Sequence, residues 1–222
     1  MYKRILIAGT ARGGTTYASR VLKHLVPATT HEALGISNLH FTDFPYPIEV
    51  TGAGIAFISQ MVPSVKCILQ TRNPLKVVRR HVWSWLPPED DLSHTRYQAT
   101  RQGQNLVYRH IYGEDIPHYS PILKEGEDLW AMACAYLAGV WKHALAVTDF
   151  QYQIEDFQNA LPTILGFIGE VHSPEQIEYA VTHAISNSKT SLVNPDVWYE
   201  NRVFGDLSPE LREIAKELGY HD

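Results

Sequence analysis

The apolar positions of this chain fall into short continuous runs separated by stretches of helical period. "KRILIA" (3–8) is an apolar run ending at a glycine turn, the pattern of a buried parallel strand. From 15 to 26 the residues Ala18, Val21, Leu22 and Leu25 share one face at helical spacing. "PATTHEAL" predicts a short second strand ending near Thr30, and 53–62 reads as helical. "VKCILQT" (65–71) is another buried strand; it ends in "RNP", and "LKVVRRHVWSWL" then predicts a helix stopped by Pro87 and Pro88.

Residues 87–127 break this rhythm. They are polar, rich in Pro, Asp, His and Tyr, and read as an excursion with one helix at about 94–111. A long helix follows over about 128–147, then a strand at 150–154 and helices at 156–169, 173–186 and 208–218, with Gly219 as the last C-cap. Strands alternating with helices predict an α/β layer fold with a mostly parallel sheet. Ligands of such sheets bind at the carboxyl ends of the strands. Two turns lie at such ends, after residues 8 and 71.

Composition narrows the picture. The 222 residues are 45 % hydrophobic and 19 % charged, enough for one domain over 1–222 that carries the 87–127 segment as a variable excursion. A net charge of −5 argues against a general nucleic-acid binder, while leaving room for a local cluster of arginines around an anion. Cys67 and Cys134 lie inside apolar runs and read as small buried hydrophobes, not as a disulfide or metal pair. The chain enters a strand at once without a basic leader, and no apolar run reaches membrane-spanning length. A soluble, cytoplasmic protein is expected.

The chemistry concentrates in "ILIAGTARGGTTYASRVL" (5–22). Gly9, four residues and then Gly14 give the spacing of a phosphate loop between a strand and a helix. Glycines let backbone N–H groups approach phosphate oxygens, and the helix N-terminus adds partial positive charge. Thr15 and Thr16 add hydroxyls, and Arg12 adds a permanent cation. The lysine that would reach the β- and γ-phosphates of a nucleoside triphosphate is replaced by Thr15. The loop therefore suits a single 5′-phosphate with a cation beside its outer oxygen.

This loop resembles the 5′-phosphosulfate loop of sulfotransferases that use 3′-phosphoadenosine 5′-phosphosulfate (PAPS), a Lys or Arg followed by Ser-Gly-Thr-Thr. Arg12, Gly14, Thr15 and Thr16 match, with Gly13 at the serine position. "VPSVKCILQTRNPLKVVRRHVWSW" is similar to the family's 3′-phosphate element, in which Arg72 matches the arginine that grips the phosphate. The usual serine eight residues on falls on Arg80, which can bind a phosphate bidentately; Arg79 and Ser84 are weaker substitutes, and Arg79 reads as part of a solvated helix face. "WKHALAVTDFQYQIEDF", "ILGFIG" and "LSPELREIAKELGY" resemble later family segments, with Glu155 and Asp156 as a helix cap.

The resemblance implies a three-layer P-loop-like fold with a central, mostly parallel sheet flanked by helices. It also implies PAPS as sulfuryl donor, no metal, a small-molecule or carbohydrate acceptor and a donor site of Gly9, Arg12, Gly13, Gly14, Thr15, Thr16, Arg72 and Arg80. Arg12 would act electrostatically on the leaving phosphate oxygen, its pKa being too high for acid catalysis. The acceptor needs a base, for which "TTHEALG" offers Glu32 and then His31, with His40 third. Two alternatives stay open on the residues alone: a P-loop-type metabolite kinase with a degenerate loop, and a catalytically silent nucleotide-binding module.

Overall fold

The computed structural model describes residues 4–10, 13–33, 47–61, 65–85, 94–120, 129–186 and 201–221. The chain divides into two compact units, Met1–Arg72 with Ala144–Leu192 and Asn73–His143 with Val193–Asp222.

The first unit holds a five-stranded sheet: β1 (Arg4–Ala8), β2 (Thr30–His31), β3 (Ile48–Thr51), β4 (Val65–Thr71) and β5 (Gln151–Gln153). Every strand pairing is parallel, in the order β2-β3-β1-β4-β5. On one face, Ile5, Ile7, Ile48, Val50, Ile68 and Tyr152 join a buried cluster with α1 (Thr15–Leu25), α5 (Phe157–Gly166) and α6 (Pro174–Ser186). The helical period read at 15–26 supplies Ala18, Val21, Leu22 and Leu25 to it. On the other face Leu6, Ala8 and Leu69 are also fully buried. That explains why these strands read as continuous apolar runs. The expected α/β class, with a parallel sheet flanked by helices, is what the structure shows.

Two elements depart from expectation. β3 was not visible in the sequence, because Glu49 interrupts its four residues and prolines precede it; yet Glu49 is fully buried between β1 and β2. The span 53–62 is not one helix but two 3₁₀ turns, Ala53–Ala56 and Ile58–Gln60. A Cβ on Gly54 would stand 2.5 Å from the Thr51 side chain and 3.1 Å from Leu6, so this glycine lets the first turn lie directly on the sheet.

The second unit is helical: α2 (Pro74–Trp85), α3 (His94–Tyr112), most of α4 (Leu129–Leu145) and α7 (Pro209–Glu217). The helix expected inside the excursion is α3. Buried His81, Trp85 and Gln104 form a polar cluster within it: Trp85 Nε1 donates to Gln104 Oε1 at 2.6 Å, so Gln104 Nε2 donates to His81 Nδ1 at 2.9 Å. This order of donors fixes His81 as the neutral Nε2–H tautomer. Trp141 stacks on Tyr220 at 6.3 Å, which seats the chain after Gly219 (φ 83°), the expected C-cap glycine.

Candidate functional site

β1 and β4 are neighbours with Ala8 opposite Leu69, so the glycine turn after β1 and the corner after β4 leave adjacent strand ends. From β1 the chain turns back to β2 and β3 on one side; from β4 it goes on to β5 on the other. This is the point of an open parallel sheet where the strand order reverses. The carboxyl ends of β2 and β3 complete the same edge with His31, Glu32, Thr51 and Gly52.

The turn is built around its glycines. Gly13 N–H donates to Thr10 O at 2.9 Å, and a Cβ at 13 would lie 2.8 Å from that same oxygen. The serine of the family pattern therefore does not fit this turn without a shift, which gives the Gly13 departure a physical reason. Gly14 caps α1 with φ 91°, and its missing Cβ leaves room for Ile154, 2.9 Å from that position. A Cβ on Gly9 would sit 3.0 Å from the Thr15 side chain. α1 has no acidic residue in its first turn and no side-chain cap. Its leading N–H groups have no intrahelical acceptor, the arrangement that receives an anion.

Two residues absent from the sequence reading hold this turn. Gln70, fully buried on β4, donates from Nε2 to Gly13 O at 2.8 Å, and Tyr152 donates its hydroxyl to Gln70 Oε1 at 2.6 Å. The available signal was a glutamine beside the apolar core of a strand, a polar group that must find partners when buried.

Glu32 and His31 do come together with the turn. His31 Nε2 lies 3.4 Å from Thr15 Oγ1 and 3.6 Å from Glu32 Oε1. Glu32 takes φ 55°, uncommon for a residue with a Cβ, and its carboxylate accepts from Thr51 Oγ1 at 2.8 Å and Gly52 N–H at 2.9 Å. Burial holds the His31 imidazole below its ordinary pKa; the Glu32 charge opposes this, and Lys23 and Arg20 reinforce it. The next backbone N–H, of Ala33, donates to buried Glu49 Oε1 at 2.8 Å. The pair therefore sits on the same strand edge as the glycine turn, with His31 favoured neutral.

Arg12 and His40 lie outside the described residues. Arg72 is half-buried just past β4 in the first unit, and Arg80 is half-buried on α2 in the second. Among the described residues Arg80 has no hydrogen-bond or ion-pair partner. Arg79 is not the solvated residue expected: its Nη2 donates to the Arg202 carbonyl at 2.6 Å. Ser84 is buried and bonds the His81 carbonyl in its own helix at 2.9 Å. Asp156 occupies the N-cap of α5, but its side chain caps no backbone N–H and accepts from Asn159 instead. Cys134 is buried as read; Cys67 is partly so, its thiol pushed up to about 12 chiefly by burial. Among the described residues no group of three or more His, Cys, Asp or Glu is placed to hold a metal, and no helix is long and apolar enough to cross a membrane.

No protein-family model matches the chain, and no curated protein matches it. Among solved structures it is similar to mouse sulfotransferase SULT7A1 complexed with PAP, at 11 % identity over 97 % of this chain and 82 % of that chain, with a TM-score of 0.44. At that identity and TM-score the likeness says nothing of what this chain binds or does.

Proposed function

We propose that the whole chain is one sulfotransferase-like domain that moves a sulfuryl group from PAPS to a hydroxyl or amine of a small-molecule or carbohydrate acceptor. One observation carries the reading. The two sequence motifs that resemble PAPS-binding elements, "GTARGGTT" and "TRNP", leave adjacent parallel strands at the point where the strand order reverses. A phosphate loop alone would suit many nucleotides; a second arginine-bearing corner beside it suits a nucleotide with a phosphate at each end.

In this reading the N–H groups of Gly14, Thr15 and Thr16 hold the 5′-phosphate, and Gly9 and Gly13 let the backbone approach it. Arg12 offsets charge developing on the leaving oxygen, Arg72 takes the 3′-phosphate, and the sequence pattern gives Arg80 the place of that element's usual serine. Arg80 is carried by the sequence pattern and by its lack of a partner among the described residues. Transfer is an in-line displacement. The acceptor oxygen or nitrogen bonds to sulfur as its proton passes to Glu32, or to neutral His31. The bond from sulfur to the 5′-phosphate oxygen breaks, and adenosine 3′,5′-bisphosphate leaves.

Calorimetry with adenosine 3′,5′-bisphosphate, ATP with Mg²⁺ and GTP tests the proposal. Binding of the bisphosphate in preference to both triphosphates is expected. Tight binding of ATP with Mg²⁺ and none of the bisphosphate would overturn it in favour of a metabolite kinase. Bisphosphate binding without sulfate transfer to any of a broad acceptor panel would leave a silent binding module.

A further inference from the structure

The geometry points to Gln70 as a positioning residue for the phosphate turn, set in its working orientation by Tyr152; this rests on the nucleotide reading above. Gln70 lies two residues after Ile68 on β4, on the strand face toward α1, and the Cβ position of Gly9 is 3.5 Å from its Nε2. Its two partners fit its amide in one orientation only. Burial pushes the Tyr152 phenol well above its ordinary pKa, so its hydroxyl keeps its proton and donates to Oε1. Nε2 is left to donate to the Gly13 carbonyl. A flipped amide would set its oxygen against that carbonyl, acceptor against acceptor.

Tyr152 is itself fixed. It pairs directly with Gln70 in the β4–β5 register, stacks on Phe157 at 5.3 Å, and its carbonyl accepts from Thr71 Oγ1 at 3.2 Å.

Such a clamp has work to do because the turn contains Gly13-Gly14. Two residues without Cβ can rotate the peptide plane between them at little steric cost. In a trans peptide the carbonyl and the N–H point in opposite directions. Holding the Gly13 carbonyl on Gln70 therefore aims the Gly14 N–H away from β4, in line to join the open N–H groups of α1. The sequence provides a turn loose enough to wrap an anion; Gln70 supplies the rigidity that the glycines lack.

The test compares Gln70→Met and Tyr152→Phe with the wild type, using adenosine 3′,5′-bisphosphate and adenosine 3′-monophosphate as probes. Loss of one directed hydrogen bond at the turn should weaken bisphosphate binding by about tenfold in Gln70→Met. Tyr152→Phe should cause a smaller loss, because Gln70 keeps its donor. Affinity for the 3′-monophosphate, which lacks the group the turn holds, should not change in either variant. Equal losses for both ligands, or none, would overturn the proposal. Gln70→Met strands the Tyr152 hydroxyl, so Gln70→Met/Tyr152→Phe, which removes both polar partners, guards against simple misfolding. Amide hydrogen exchange is read in parallel, and faster exchange confined to residues 13–16 is expected in Gln70→Met. If the wild type binds neither probe, the nucleotide reading fails, and unchanged exchange at 13–16 would still overturn the clamp.

Discussion

Gly13, like Arg80, departs from the pattern that the sequence resembles, and the turn gives this departure a physical reason. With Thr10 O 2.8 Å from any Cβ at this position, Gly13→Ser must push the turn open rather than complete a motif. The substitution should cost about 1–3 kcal/mol of stability by overpacking and weaken bisphosphate binding, read by denaturant melts and calorimetry. Unchanged affinity would show that the turn relaxes freely. Glu32 is the second residue of interest, since its positive φ is held in place by bonds from Thr51 and Gly52. Glu32→Gln keeps an acceptor for one of those bonds and removes the basic oxygen. Under the proposed sulfuryl transfer, the rate should fall by about 10²–10⁴-fold with little change in bisphosphate affinity. If His31→Gln shows that loss and Glu32→Gln does not, the imidazole is the base.

Between elements, the contact that matters is that of α1 with the chain leaving β5. Gly14 caps α1 at φ 91° while Ile154 stands 2.9 Å from its missing Cβ, so Gly14→Ala adds both a backbone and a steric cost. Ile154→Ala should relieve only the steric part. In a double-mutant cycle the two substitutions should therefore couple by about 0.5–3 kcal/mol, with the pair less damaging than the sum. Additive effects would mean that Ile154 simply moves aside. The elements themselves were readable where the information is local. "GTARGGTT" and α1 depend on spacing within a few residues, and the apolar runs of β1 and β4 announce strands buried on both faces. β3 was hidden because Glu49 reads as solvent-facing until the pairing with β1 and β2 buries it. Gln70 and Tyr152 were hidden for a related reason: their partners lie 57 and 82 residues apart in sequence. The adjacency of β1 and β4, on which the proposed site depends, is likewise a property of pairing and not of either strand.

Over the whole molecule, acid should act in two stages. His31 in the first unit and His143 in the second both have pKa values held below 6.5, chiefly by burial; at His143 the charge of His110 adds to the effect. The folded chain then binds fewer protons than the unfolded one near those values. Stability is complete above the unfolded imidazole pKa and declines as pH falls through the lower folded values. Asp149, whose pKa is lowered first by its hydrogen bond from Lys66, adds a separate decline in the carboxylate range. Denaturant midpoints from pH 8 to 3 should show both declines, and His31→Gln/His143→Gln should flatten the first alone. An identical profile in that variant would assign the first decline elsewhere. The strand order has a consequence in time as well. A ribosome delivers the phosphate turn first, yet the strand bearing Gln70 emerges 57 residues later and Tyr152 another 82 after that. At ordinary synthesis rates this leaves the nascent turn without its brace for on the order of ten seconds. The turn is thus made well before the side chains that brace it, and acquires its working shape only after them.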